Sequence, residues 1–310
     1  MKVTIVFPGQ GTQYVGMGTV FSGHAHFATA NQSTGYNLEK MMLEGPTEDL
    51  KLTENTQPAI VTHSLIMFDQ LKKLLDQKNI QIERVLGHSV GEYSALAAAG
   101  VIDFADAVKA VHHRGKYMQE AVPQGKGTMY AILKQSETTI REACEAASNS
   151  LETVSPANFN EPNQIVISGD KAACETAIRL MGEKTNDRVK AIELEVSAPF
   201  HCALMRSAEI KLKAVLDQIT FHPLKYPYIA NVDAHEYATD TNPLTLKENL
   251  LKQVCGSVFW TQSIQKMSDD TLIIECGPGK VLAGLIKKIN PTLKVISLDS
   301  ETGFSQVEAL

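Results

Sequence analysis

Residues 85–100 read VLGHSVGEYSALAAAG: a short apolar run, a serine framed by Gly87 and Gly91, and then an alanine-rich segment. A turn that presents a nucleophile between a strand and a helix needs almost no side chain two residues before and two after it. Gly87 and Gly91 hold those places around Ser89. The pattern G-x-S-x-G alone also describes ordinary structural turns. Its surroundings favour the elbow. Residues 84–87 read as a strand and 92–99 as a helix stopped by Gly100, and Ala95, Ala97, Ala98 and Ala99 let that helix pack closely on a sheet. Ser89 is therefore a candidate nucleophile, with the amide of Val90 pointing into the same site from the helix N-terminus.

The segments on either side extend this strand-helix alternation. Residues 3–7 read as a buried first strand cut off by Pro8-Gly9, with a loop after it. Apolar residues recur at helical spacing over 57–75, where Pro58 suits the first turn of a helix. An amphipathic helix is expected over 103–122, carrying Arg114 and ending before Pro123, Gly125 and Gly127. Such alternation points to an α/β layered sheet. From 128 the pattern changes to strand 128–133, helix 137–148, strands 153–157 and 164–168, helix 172–182 and strand 189–196. That order is the split unit of ferredoxin-like domains, expected here as an insertion over 125–197. The larger layer resumes with a helix over 204–218, a buried strand over 271–276 and a helix over 281–289.

Composition excludes several classes of function. The 310 residues are 44% hydrophobic and 21% charged, an ordinary globular mixture, with a formal charge of −6. Lys and Arg are scattered rather than clustered, which argues against nucleic acid or an anionic membrane as partner. Five widely spaced cysteines, without C-x-x-C, speak against a disulfide framework and a zinc site. No secretory core region or run of about 18 apolar residues occurs, so a cytoplasmic location is expected.

Serine needs a base, and nine histidines are available. His88 adjoins Ser89, but neighbouring side chains diverge at a tight turn, so a structural role is expected for it. His201, in SAPFHCALM, lies between a strand end and a helix start and is one of a few candidates. Cys202 beside it is a rival nucleophile that nothing nearby activates; a buried thiol is expected.

VFPGQGTQ at the N-terminus, GHSVGEYSALAAAGVIDFADAV, HRGKYMQEAVP, SAPFHCALM and ECGPGKVLAGLIKK, in this order, resemble the malonyl-CoA:acyl carrier protein transacylases over nearly the whole chain. The resemblance implies an α/β-hydrolase-like catalytic domain over 1–124 and 198–310, with a ferredoxin-like subdomain over 125–197. It implies Ser89 as acyl-accepting nucleophile and His201 as general base, with the amides of Gln10 and Val90 as oxyanion donors. A backbone carbonyl at Gln253 would orient the histidine in place of an aspartate, and Asn158 would line the cleft near it and help to orient it. Arg114 would bind the free malonyl carboxylate through two parallel hydrogen bonds. Without the resemblance it reads as a solvated helix charge. Val90 and Phe200 resemble malonyl-selecting versions of their motifs.

The implied reaction is ping-pong transfer of malonyl from malonyl-CoA to the phosphopantetheine thiol of an acyl carrier protein, for fatty acid or polyketide synthesis, with no cofactor or metal. The alternatives are an acyl hydrolase on the same scaffold and a catalytically silent docking protein of a synthase complex. Tyr130, Lys134 and residues 19–37, with His24 and His26, depart from the common housekeeping versions. An acidic carrier meeting an acidic enzyme would need a local basic patch, for which Lys184, Arg188 and Lys190 are candidates.

Overall fold

The computed structural model describes residues 1–123, 125–300 and 302–310; Gln124, at the expected domain boundary, and Glu301 lie outside the described residues. The first strand, β1 (Lys2–Phe7), is buried from its second residue onward, as a continuous apolar run in a central parallel strand should be. It is followed by α1 (Ala25–Thr34), α2 (Leu38–Glu44), α3 (Thr47–Lys51) and α4 (Thr53–Gln77), then β2 (Gln81–Gly87), α5 (Gly91–Ala98) and α6 (Phe104–Gln119). The loop expected after β1 therefore contains three short helices. His24, one of the departing histidines, caps α1, its Nδ1 accepting from the His26 amide.

The middle of the chain forms β3 (Gly127–Leu133), α7 (Glu137–Ala147), β4 (Val154–Glu161), β5 (Gln164–Asp170), α8 (Lys171–Thr185) and β6 (Lys190–Glu193). After it come α9 (Arg206–Leu216), β7 (Tyr228–Ile229), β8 (Glu236–Tyr237), α10 (Pro243–Cys255), α11 (Trp260–Ile264), β9 (Leu272–Glu275), α12 (Val281–Ile289), β10 (Lys294–Ser297) and α13 (Gly303–Glu308). Among the described residues no helix is long and apolar enough to cross a membrane.

Two sheets result. The larger has the order β10-β9-β1-β2-β7-β8, parallel except for β8. Alternate residues of its strands feed different cores: Ile5, Phe7, Val85 and Ile274 join the helices α4, α5 and α6, whereas Val6, Leu86 and Ile273 pack with Trp260 and Ile264 of α11 and Leu282 and Ile286 of α12. The smaller sheet is antiparallel, in the order β4-β5-β3-β6. Ile132, Val154, Ile165 and Ile167 face α7 and α8, while Met129, Ala131, Ala157 and Val166 join the main core. One face of the small sheet is thus committed to its own helices, and the other closes over the C-terminal ends of β1 and β2.

Beyond Ala157, the limit expected for its strand, β4 continues with two register irregularities and stitches the two parts together. Phe159 donates its amide to Val258 and Val258 donates to Ala157, while the Phe159 and Phe259 rings stack 5.0 Å apart. Pro58 is a correction. It lies inside α4, five residues after its start, rather than in the first turn. Proline has no N–H for the carbonyl four residues earlier. That carbonyl, of Glu54, bonds instead with His112 Nδ1 at 3.1 Å.

Gly91 is the tightest point between β1 and the elbow, for a Cβ there would lie 2.2 Å from the Phe7 carbonyl oxygen. Gly91→Ala is expected to destabilise the protein by about 1–3 kcal/mol or more, read as a lower urea midpoint. An unchanged midpoint would contradict the packing described.

Candidate active site

Ser89 leaves β2 with φ of 50°, a left-handed conformation, before α5 begins at Gly91. The turn closes only because both flanking residues lack side chains: a Cβ on Gly87 would lie 2.0 Å from main-chain atoms of Gly91. Asn231 braces it, its Oδ1 accepting from the Ser89 amide at 2.8 Å and its Nδ2 donating to the Gly87 carbonyl at 2.6 Å. The serine is held rigidly at the carboxyl end of the sheet, where open α/β sheets bind ligands.

His201 also has a left-handed backbone, with φ of 60°. Its Nε2 lies 2.7 Å from Ser89 Oγ and its Nδ1 lies 2.9 Å from the Gln253 main-chain carbonyl. A carbonyl can only accept, so Nδ1 carries the proton and Nε2 is free to take one from the serine. Burial, and then the positive charge of Arg114, push the ring down to about 3, keeping it a neutral base at physiological pH.

Arg114 projects from α6 and is 1% exposed. Its Nη1 donates to Gln57 Oε1 at 2.8 Å, and its Nη2 to Gln253 Oε1 at 2.7 Å and to Ser89 Oγ at 3.2 Å. Its Nε has no partner among the described residues. All three acceptors are neutral, so a full charge has been desolvated without a hydrogen-bonded carboxylate.

Gln10 lies on the loop after β1, and its side chain bonds Thr53 Oγ1 at 3.3 Å, which in turn meets Ser197 Oγ at 2.8 Å. Val90 precedes the first residue of α5. Among the described residues neither the Gln10 nor the Val90 amide has a protein acceptor. Ser89, His201, Arg114, Gln10, Asn158 and Phe200 line one cleft of about 500 Å³, walled on the apolar side by Met118, Met129, Val166, Leu194 and Val196. This volume falls in the usual range of small-molecule sites.

One expectation is corrected. Asn158 lines the cleft, but both ring nitrogens of His201 are already engaged by Ser89 and Gln253, and among the described residues the Asn158 side chain makes no hydrogen bond to them. Cys202 is buried, donates to the Pro199 carbonyl, and is pushed up to about 11 by burial. His88 lines the same cleft but bonds Asn160 rather than Ser89. Lys184 pairs with Glu142, so of the three candidate basic residues only Arg188 and Lys190 remain exposed without that partner. Sequence reasoning missed Gln57, Glu92 and Asn231. Gln57 was visible only as the residue before Pro58, and Asn231 follows the two-residue strand β7, too short to read.

An acyl transferase domain model matches residues 4–269. A malonyl CoA-acyl carrier protein transacylase of Haemophilus influenzae is 40% identical, over 99% of this chain and 98% of its own. The chain belongs to the acyl transferase family. Its similarity to the malonyl CoA-acyl carrier protein transacylases extends to solved structures. An acyl carrier protein S-malonyltransferase from Vibrio cholerae superposes with a TM-score of 0.90 at 40% identity, covering 99% of this chain and 100% of that one. A malonyl-transacylase solved with a type II PKS acyl-carrier protein gives a TM-score of 0.90 at 36% identity, covering all of both chains. These family members share the mixed α/β architecture described above.

The depressed His201 makes a testable demand on pH. Inactivation of Ser89 by an uncharged sulfonyl fluoride should show no acid limb near the ordinary histidine value of about 6.5. In Arg114→Ala, with the nearby positive charge gone, the limb should move upward. A wild-type limb at about 6.5 that Arg114→Ala leaves in place would contradict the arrangement.

Proposed function

We propose that this acyl transferase is an [acyl-carrier-protein] S-malonyltransferase that works by a ping-pong route through malonyl-Ser89. The observation that carries the reading is Arg114, a buried guanidinium with neutral partners whose Nη2 lies 3.2 Å from the nucleophile. A malonyl carboxylate paired with it would supply a directly hydrogen-bonded counter-charge and bring the thioester carbonyl over Ser89.

His201 Nε2 takes the serine proton as Oγ attacks, and the amides of Gln10 and Val90 hold the oxyanion. Collapse expels the CoA thiol, which leaves with the proton returned by His201. The phosphopantetheine thiol of the carrier then gives its proton to His201, attacks the acyl-serine, and releases Ser89 with its proton restored. No metal or redox cofactor enters these steps. Pairing a substrate carboxylate with Arg114 also weakens the second cause that depresses His201, so the correct substrate makes its own base stronger. An acyl hydrolase of uncharged chains would have no use for that guanidinium, and a silent docking protein would have no use for the Ser89-His201 pair.

The larger sheet, with its nucleophile at the end of β2, supports an α/β-hydrolase-like catalytic domain over 1–124 and 198–310. The β4-β5-β3-β6 order, with both helices on one face, supports a ferredoxin-like subdomain over 125–197. Phe200 lines the cleft, and its bulk supports a preference for malonyl over α-branched extenders; the Val90 side chain is buried in the core and does not line the cleft, so only its amide is kept for the site. We place the enzyme in the cytoplasm, serving fatty acid or polyketide synthesis, where its five free cysteines stay reduced.

Arg114→Ala is expected to lower kcat/KM for malonyl-CoA by about 100-fold or more while the acetyl-CoA rate holds or rises. An unchanged malonyl-to-acetyl ratio would remove the basis of the carboxylate assignment.

A further inference from the structure

The mechanism makes no use of Glu92, a carboxylate with no exposed surface on the first turn of α5. Its Oε1 accepts from the Tyr228 hydroxyl and from the Asn231 amide at 3.1 Å, and its Oε2 accepts from Gln253 Nε2. The same Nε2 donates to the Ser89 carbonyl at 2.9 Å, while Gln253 Oε1 accepts from Arg114. A glutamine amide can be turned by half a revolution at no cost in shape, exchanging its oxygen and nitrogen. Turned that way here, it would point an N–H at the guanidinium.

We propose that Glu92 is a positioning residue for substrate selection: as an acceptor only, it draws Gln253 Nε2 toward itself and so fixes Gln253 Oε1 on Arg114. Burial pushes Glu92 up to about 7, against the opposing pull of Tyr228, Asn231, Gln253 and the Arg114 charge, so well above that pH it has no proton to donate. The role is confined to the side chain. His201 is held by the Gln253 main-chain carbonyl, which an amide reversal leaves where it is. Glu92 therefore governs which acyl group is chosen more than whether acyl transfer occurs. The inference rests on reading Arg114 as the partner of the malonyl carboxylate.

Glu92→Gln keeps the shape but brings an NH2 to Gln253 and allows the reversal; Glu92→Asp leaves a gap but keeps an acceptor-only group. At pH 8, with folding checked by thermal melting, Glu92→Gln is expected to lose about tenfold or more of the malonyl-over-acetyl ratio of kcat/KM, mainly through the malonyl term. Glu92→Asp is expected to keep more of that ratio than Glu92→Gln, whatever its overall rate. In an Arg114→Ala background, Glu92→Gln should change the ratio no further. A merely structural role predicts the reverse order, since the isosteric glutamine would then be the better tolerated variant. The inference is overturned if Glu92→Gln keeps the wild-type ratio, if Glu92→Asp loses more of it, or if the two acyl groups slow equally. If Arg114→Ala alone leaves the ratio unchanged, the carboxylate reading fails instead, before Glu92 is tested.

Discussion

Between Gly87 and Gly91 the backbone folds back so closely that a single methyl on either residue would overlap main-chain atoms. This contact holds Ser89 at φ of 50° and presses the start of α5 against the end of β1. The consequences are chemical. The serine hydroxyl meets His201 and Arg114, and among the described residues the amides of Gln10 and Val90 keep no protein acceptor. The elbow fixes Ser89 Oγ, the one atom that His201 Nε2 and Arg114 Nη2 both meet.

Around that fixed point, a single residue of α10 organises the rest. Gln253 offers its main-chain carbonyl to His201, its side-chain oxygen to Arg114 and its side-chain nitrogen to the Ser89 carbonyl and Glu92. Base and charge partner are thus referred to one helix turn, so a shift of α10 would move both together. The electrostatics follow from the same crowding. Burial lowers His201 and raises Glu92, while the Arg114 charge lowers both, leaving a neutral imidazole beside a cation that has no hydrogen-bonded carboxylate and meets Glu92 only across Gln253.

The elbow and the alternation of β2 and α5 were legible in the sequence because glycine spacing and strand-helix periodicity are local properties. So was the small sheet, whose expected β-α-β-β-α-β order matches the elements from β3 to β6, with strand ends shifted by a few residues. The helices α1 to α3 were not legible: α3 has only five residues and α1 only two buried ones, so neither shows a clear apolar stripe. Pro58 was misread because proline fits a first turn best, and nothing local announces that His112 will serve the carbonyl it leaves free. Of the site residues, Ser89 had a sequence pattern of its own, whereas Arg114 and Gln253 took their roles from family resemblance. A main-chain acceptor such as the Gln253 carbonyl has no residue-type signature at all. Asn231 and Glu92 meet the elbow only through tertiary packing.

The central claim is that Ser89 carries a malonyl group destined for a thiol rather than for water. Intact mass of the protein after mixing with malonyl-CoA, followed by addition of a pantetheinylated carrier protein, tests it most directly. The account predicts a malonyl adduct on the wild-type enzyme, absent from Ser89→Ala, that disappears as the carrier gains the same mass. No adduct on folded wild-type protein, or an adduct that decays only to free malonate with the carrier present, would contradict it.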